Sequence, residues 1–157
     1  MNGLVWQIVL YLIAAMILSV LPMPDWATPF RPDWVVLTLI FWSMHLPRRF
    51  GLGAAWVTGL ALDALKGALL GQHALALTVV TFFSLKFRLR VRVFPVWQQS
   101  MTVFALVALY EFILYWIDGM AGQPVRALDR WMPVLASAVV WPLIALLFGR
   151  LQRRLAL

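Results

Sequence analysis

The sequence GLALDALKGALLGQHALAL, residues 59–77, has the composition of a membrane helix but carries an aspartate within a row of glycines. Gly59, Asp63, Gly67 and Gly71 recur at four-residue spacing, which in a continuous helix places them on one face. Small residues allow a second helix to approach closely inside a membrane. We therefore predict that this face packs against a neighbouring helix, with Asp63 hydrogen-bonded across the contact.

The composition of the whole chain points to a membrane protein. Of the 157 residues, 64% are hydrophobic and only 12% are charged, whereas a soluble domain needs more polar surface. We expect a single integral membrane domain over residues 1–157. The absence of cysteine excludes disulfides and thiolate catalysis. The two histidines are far apart in sequence, so neither a metal site nor another cofactor is predicted.

Six apolar runs predict an all-α membrane protein, a compact bundle of about six transmembrane helices. The second run begins after Pro32, and its roughly 14 residues are short of the ~20 that cross a bilayer. Four prolines separate it from the first run and forbid a continuous helix. The runs cover about residues 4–21, 33–46, 52–70, 74–85, 97–117 and 131–148.

The distribution of positive charge predicts the orientation of the chain. The net charge of +7 could suggest nucleic acid, but the basic residues form short clusters between apolar runs, as membrane anchors do. With six spans and a cytoplasmic N-terminus, both termini are cytoplasmic, and four basic residues lie outside: Arg31, Lys66, Arg126 and Arg130. The inner clusters, which would also contact anionic lipid, contain Arg48, Arg49, Lys86, Arg88, Arg90, Arg92, Arg150, Arg153 and Arg154.

Asp63 is the first residue that could carry chemistry. It lies eleven positions after Leu52, about 16 Å along a helix and near the bilayer midplane, where a carboxylate needs a partner. Three roles stay open: a hydrogen bond that joins two helices, ligand binding or proton relay, and coupling to a partner subunit. Lys66 could pair with Asp63, but we expect it to extend outward to the interface.

Glu111, Tyr115 and Asp118 form a second set, because their spacing places them on one helical face. Asp118 is expected to be interfacial, and the deeper Glu111 is expected to make an interhelical hydrogen bond. Asp63 together with Glu111 would form a carboxylate pair able to do acid–base chemistry, but nothing in the sequence brings them together. Walker loops, dinucleotide-binding glycines and nucleophile elbows are absent, so we do not expect an enzyme.

Four short motifs, taken with the length, the run count and the basic tail, resemble the rod shape-determining protein MreD family over nearly the whole chain. They are FRPDW at residues 30–34, LDALKGALLGQHALAL at 62–77, WQQ at 97–99 and WPL at 141–143. The resemblance implies a non-enzymatic protein of the inner membrane of Gram-negative bacteria that acts in cell elongation. It also implies association with MreC, and through MreC with MreB, RodA and its transpeptidase partner.

The same resemblance implies a six-helix fold similar to the S components of energy-coupling-factor transporters. On this interpretation the helix-packing and partner interface comprises Gly59, Asp63, Gly67, Gly71 and Glu111, and the outer loop is ordered by Arg31, Asp33 and Trp34. One alternative is a small-molecule-binding transporter subunit, which predicts a polar cavity near Asp63, Lys66, Gln72 and His73. The other is a membrane enzyme that uses Asp63 and Glu111.

Overall fold

The structure, a computed structural model, describes residues 2–27, 30–45, 51–122 and 127–155. This part of the chain is helical and contains no strand, as the apolar runs predict. The six helices are α1 (Asn2–Val20), α2 (Trp34–His45), α3 (Leu52–Lys66), α4 (Gln72–Arg92), α5 (Val96–Met120) and α6 (Ala127–Leu155).

Consecutive helices run in opposite directions between two ends of a bundle. We call one the acidic end, where hydrogen bonds connect the end of α3, the start of α4, the end of α5 and the start of α6. The acidic end contains Asp33, Asp63, Glu111 and Asp118. We call the opposite end, where α4 and α6 finish, the basic end. It contains Lys86, Arg88, Arg90, Arg92, Arg150, Arg153 and Arg154.

Helix α2 is the centre of the bundle. All ten residues from Val35 to Met44 are buried, and α2 packs against α1, α4, α5 and α6. Its two hydroxyl side chains return hydrogen bonds to their own helix, Thr38 to the Trp34 carbonyl and Ser43 to the Ile40 carbonyl. Twelve residues span only about 18 Å. The predicted short second helix, beginning after Pro32, is confirmed.

Among the described residues, two helices are long and apolar enough to cross a membrane: α5, over Val96–Met120, and α6, over Arg130–Arg154. Both overlap predicted runs, but α6 continues to Leu155, seven residues beyond its predicted end. Helix α6 contains Pro133 and Pro142, which remove backbone donors from its hydrogen-bond ladder. Six complete crossings remain a prediction.

Two further predicted helix boundaries, at the end of α3 and at the end of α4, are wrong. The third run does not continue to residue 70, because Gly67 adopts a left-handed conformation (φ 65°) and its N–H bonds back to the Asp63 carbonyl, ending α3 at Lys66. Helix α4 starts at Gln72 after a second left-handed glycine, Gly71 (φ 98°). It then continues through the basic stretch KFRLRVR to Arg92, seven residues beyond the predicted end.

The glycine face of α3 is therefore shorter than predicted. A Cβ atom on Gly59 would lie 2.2 Å from the Ala74 Cα atom, so α3 and α4 touch backbone to backbone there. A Cβ atom on Gly67 or Gly71 would meet nothing within 4 Å. These two glycines serve the turn and do not lie on the face of α3, and Asp63 lies in the last turn of α3 instead of mid-helix.

The connection between α1 and α2 is held by Arg31. Its Nη1 donates to the Ser19 carbonyl at 2.5 Å, its Nη2 donates to the Leu21 carbonyl, and its Nε contacts the Met23 sulfur at 3.2 Å. The carbonyl groups at the end of a helix lack partners within the helix, and a guanidinium there also complements the helix dipole. Arg31 thus fixes where α1 ends and where the chain turns towards α2.

Candidate functional site

Asp63 joins the end of α3 to the beginning of α4. Its Oδ2 accepts the Gly71 N–H at 2.8 Å, and its Oδ1 accepts both the His73 N–H at 2.8 Å and the His73 ring Nδ1–H at 2.6 Å. The first N–H groups of a helix have no partner inside it, and a carboxylate beside them also gains from the helix dipole. Asp63 is completely buried, so these three donors replace its lost water.

His73 supplies the only side-chain donor to Asp63 in the described part of the chain. Because a carboxylate oxygen only accepts hydrogen bonds, the Nδ1 atom of His73 must carry a proton. The imidazole ring packs beside Tyr110 of α5, with ring centroids 6.2 Å apart, and both residues are buried. The α3–α4 turn is thereby attached to α5.

Arg130, near the start of α6, binds two carboxylates of α5. Its Nη1 lies 3.3 Å from the Glu111 Oε2 atom, and its Nη2 pairs with Asp118 Oδ2. The other oxygen of Asp118 accepts a 2.6 Å hydrogen bond from Gln72 Nε2. Glu111 and Asp118 are seven residues apart, two helical turns, so a single guanidinium can reach both.

Asp33, directly before α2, completes the network. Its N–H donates to Ser137 Oγ of α6 at 2.9 Å. Its Oδ2 atom is buried and receives no hydrogen bond from a donor in the described residues. The carboxyl groups of Asp33 and Glu111 are close enough to interact electrostatically.

Five of the six helices contribute a side chain to this network, either from the helix or from a residue directly beside it. We call it the acidic network, and it consists of Asp33, Asp63, Gln72, His73, Glu111, Asp118 and Arg130. Apart from Asp33 Oδ2, its charged side chains have partners among the described residues. Lys66 is exposed and forms no ion pair with Asp63, in agreement with its predicted outward extension. Within the described residues, no three His, Cys, Asp or Glu side chains are grouped so that they could hold a metal ion. The arrangement can fix helix positions.

The sequence anticipated only part of this network. Tyr115, the third residue of the predicted face, is 41% exposed. Asp118, expected at the interface, is buried and pairs with Arg130 and Gln72. Gln72 and Arg130 were not singled out as partners of α5. The available signal was two carboxylates on one face of an apolar helix, which need a cation, with Arg130 in the segment that follows.

The predicted basic anchors fall into two groups. Arg48 and Arg49 lie outside the described residues. The other seven lie along the last turns of α4 and α6 and form no ion pair with any described residue. At the predicted outer loop, Trp34 is half-buried and begins α2, while Arg31 and Asp33 make the contacts given above.

Comparisons with known proteins agree with the motif resemblance. A sequence model described as "rod shape-determining protein MreD" matches residues 2–151. A rod shape-determining protein MreD from Haemophilus influenzae (strain ATCC 51907 / DSM 11121 / KW20 / Rd) is 28% identical over 155 residues, covering 97% of this chain and 94% of the relative. No solved structure matches. Because the family match extends over nearly the entire chain, this protein belongs to the MreD family of rod shape-determining proteins.

Proposed function

We propose that the protein is a non-enzymatic membrane scaffold of the cell-elongation machinery that binds MreC and helps to couple peptidoglycan synthesis to the MreB cytoskeleton. The observation that carries this proposal is the family match over residues 2–151. MreB, RodA and its transpeptidase partner would be reached through MreC. Membership of a shape-determining family supports a role in rod shape, and the specific partners are our proposal.

The acidic network would support the partner interface from beneath. Asp63 and Glu111 are 0% and 5% exposed, so a partner cannot reach them without displacing other side chains. The α3–α4 turn that Asp63 holds exposes Leu69 and Leu70, the latter at 81%. Exposed apolar side chains that are fixed in position are suited to a protein contact. We propose that MreC contacts this turn.

We further propose six crossing helices in the bacterial inner membrane, with the basic end in the cytoplasm. The alternation of helix direction supports this arrangement, as does the concentration of Lys and Arg at one end, since cytoplasmic flanks carry the excess of positive charge. Both termini would then be cytoplasmic and the acidic end would face outward. The chain would form one integral domain with a fold similar to the S components of energy-coupling-factor transporters.

The small-molecule alternative finds less support in the geometry. A ligand site in a transporter subunit needs polar groups that face a cavity and await a partner. Asp63 already accepts three hydrogen bonds from the protein, and Gln72 is engaged by Asp118. The enzyme alternative also finds less support, because both carboxylates already have partners in the protein. Asp63 is hydrogen-bonded to His73, and Glu111 forms an ion pair with Arg130.

Co-purification tests the proposal. The tagged full-length protein is extracted from native membranes in mild detergent, and the recovered proteins are identified by mass spectrometry. We expect MreC with wall-synthesis proteins. Leu70→Gln should reduce MreC recovery. The control Leu89→Gln makes the same substitution at an exposed leucine of α4 near the basic end, and it should leave MreC recovery unchanged. Recovery of an ATPase pair with a bound small molecule would instead favour the transporter alternative.

A further inference from the structure

A cavity of about 490 Å³ opens at the basic end, between the ends of α2, α4 and α6 and the beginning of α5. Its floor is apolar and includes Phe41 and Trp141, both nearly completely buried. Its rim is polar and includes His45, Arg92 and Arg153. The volume lies within the range of small-ligand sites.

The cations of this rim have no acidic counterpart among the described residues. The sequence contains six acidic residues, and all of them fall in the segments of the acidic end: Asp25, Asp33, Asp63, Glu111, Asp118 and Asp129. Arg92 and Arg153 form no ion pair among the described residues, and the one hydrogen bond of the Arg153 side chain there is from Nε to the Gly149 carbonyl at 3.4 Å. Guanidinium N–H groups therefore remain available to bind an anion.

His45 adds a third nitrogen group to the rim. Its Nδ1 lies 2.8 Å from the Phe41 carbonyl, and because a carbonyl only accepts, Nδ1 carries the proton. The Nε2 atom has no hydrogen-bond partner in the described part of the chain. The imidazole ring stacks on Phe41, with centroids 4.1 Å apart, so its position is fixed.

We propose that this cavity binds an anionic phospholipid, with the phosphate between Arg92 and Arg153 and the glycerol and first acyl carbons against the apolar floor. The pairing of arginines with an apolar floor selects a ligand that has a phosphate at one end and hydrocarbon at the other. The cavity lies where the helices end, so a bundle that crosses the membrane would place it at the level of lipid headgroups. The site requires a membrane location for the basic end and is independent of MreC binding.

The proposal can be tested by native mass spectrometry. The full-length protein in neutral detergent micelles is titrated with phosphatidylglycerol, and the bound molecules are counted. We expect one tightly bound molecule. The double variant Arg92→Ala/Arg153→Ala should bind it about tenfold more weakly, because two charge-assisted phosphate contacts are lost. The matched control Arg90→Ala/Arg150→Ala removes two arginines from the same helices outside the cavity, and its affinity should stay within about twofold.

A second pair of variants tests the cavity without removing charge. A Cβ atom at Gly149, which lines the cavity, would meet only the Arg153 guanidinium at 4.0 Å. Gly149→Leu should therefore fill the cavity and weaken binding about tenfold, and this variant decides the question if the arginine variant does not fold. Gly53→Leu, at an open position of α3, should bind normally.

Four results would overturn the assignment. Equal loss of affinity in the Arg90/Arg150 control would mean that general surface charge attracts the lipid. Unchanged binding in Gly149→Leu would place the lipid elsewhere. If glycerol 3-phosphate competes as well as phosphatidylglycerol does, the ligand of the cavity is a soluble phosphate and not a lipid. If phosphatidylcholine binds as tightly as phosphatidylglycerol, the site does not require an anionic lipid.

Discussion

The two ends of the bundle treat charge in opposite ways. At the acidic end, Arg130 binds Glu111 and Asp118, and His73 binds Asp63, so three of the four buried carboxyl groups are paired within the chain. At the basic end, seven described cations form no ion pair with any described residue. The acidic end is stabilised by contacts between its own side chains, whereas the basic end is free to interact with water or with anions such as lipid headgroups.

This difference separates residues that maintain the fold from residues that meet the surroundings. Removing one partner of a buried ion pair leaves an uncompensated charge, which is strongly destabilising, whereas an exposed unpaired cation contributes little to stability. Substitutions at the acidic end should therefore change the free energy of unfolding, and substitutions at the basic end should change interactions with the environment.

The largest effect is expected from Arg130→Met. The substitution leaves Glu111 and Asp118 buried without their cation and should lower the free energy of unfolding by about 3–5 kcal/mol. Denaturant titration of the purified protein in micelles measures the change.

The matched control for Arg130→Met is Arg88→Met, a half-buried arginine of α4 at the basic end. It should change the free energy by less than about 0.5 kcal/mol. Equal losses in the two variants would contradict the contrast between the ends.

Gly59→Ala should have the next largest effect. Its Cβ atom would lie 2.2 Å from the Ala74 backbone, and backbone atoms cannot rotate away. Helices α3 and α4 must separate, which would also pull Asp63 from His73, at a cost of about 3 kcal/mol. Gly53→Ala adds the same methyl group to α3 where nothing lies within 4 Å, and it should leave stability unchanged or slightly raised. Thermal unfolding of both variants gives the comparison.

Asp63→Asn is expected to be milder. The side chain keeps one accepting oxygen, but its NH₂ group would face a backbone N–H at Gly71 or His73, so one hydrogen bond is lost and stability falls by about 1–2 kcal/mol. Faster hydrogen exchange of the Gly71 and His73 amides would report the change directly. Asp25→Asn, at an exposed position, is the control. Unaltered exchange in Asp63→Asn would show that the carboxylate charge is not needed at this turn.

Local features of the fold could be predicted from the sequence, because they depend on neighbouring residues. Pro32 predicts the start of α2, and the uninterrupted apolar runs of α5 and α6 predict two long helices. The left-handed turn at Gly67 was missed, because glycine is compatible with a membrane helix and tertiary contacts select its conformation. A row of glycines at four-residue spacing therefore does not show that a helix is continuous.

The pairing within the acidic network could not be predicted from the sequence, because it depends on which helix faces meet. Gln72 and Asp118 are 46 residues apart, and Asp33 and Ser137 are 104 residues apart. Apolar periodicity identifies a helix but does not identify its neighbours. The pairing of Asp63 with His73 is a local contact, since the two residues are only ten positions apart. Locating the α3–α4 turn correctly would have brought the two residues together.

The smallest effect, and the most direct test of the contrast, is expected from reversing a charge at the basic end. Arg90→Glu introduces an acidic side chain four residues after Lys86, and an opposite-charge pair at this spacing stabilises a helix by about 0.2–0.5 kcal/mol. Because residue 90 lies in the last turn of α4, the helix dipole disfavours the new negative charge by a similar amount, so the net change in the free energy of unfolding should be close to zero. Arg90→Gln is the matched control and should leave the free energy of unfolding unchanged. Denaturant titration in neutral micelles separates this reversal from any effect of lipid charge. A loss of more than about 1 kcal/mol in Arg90→Glu would mean that the basic end, like the acidic end, already contains a matched partner within the chain.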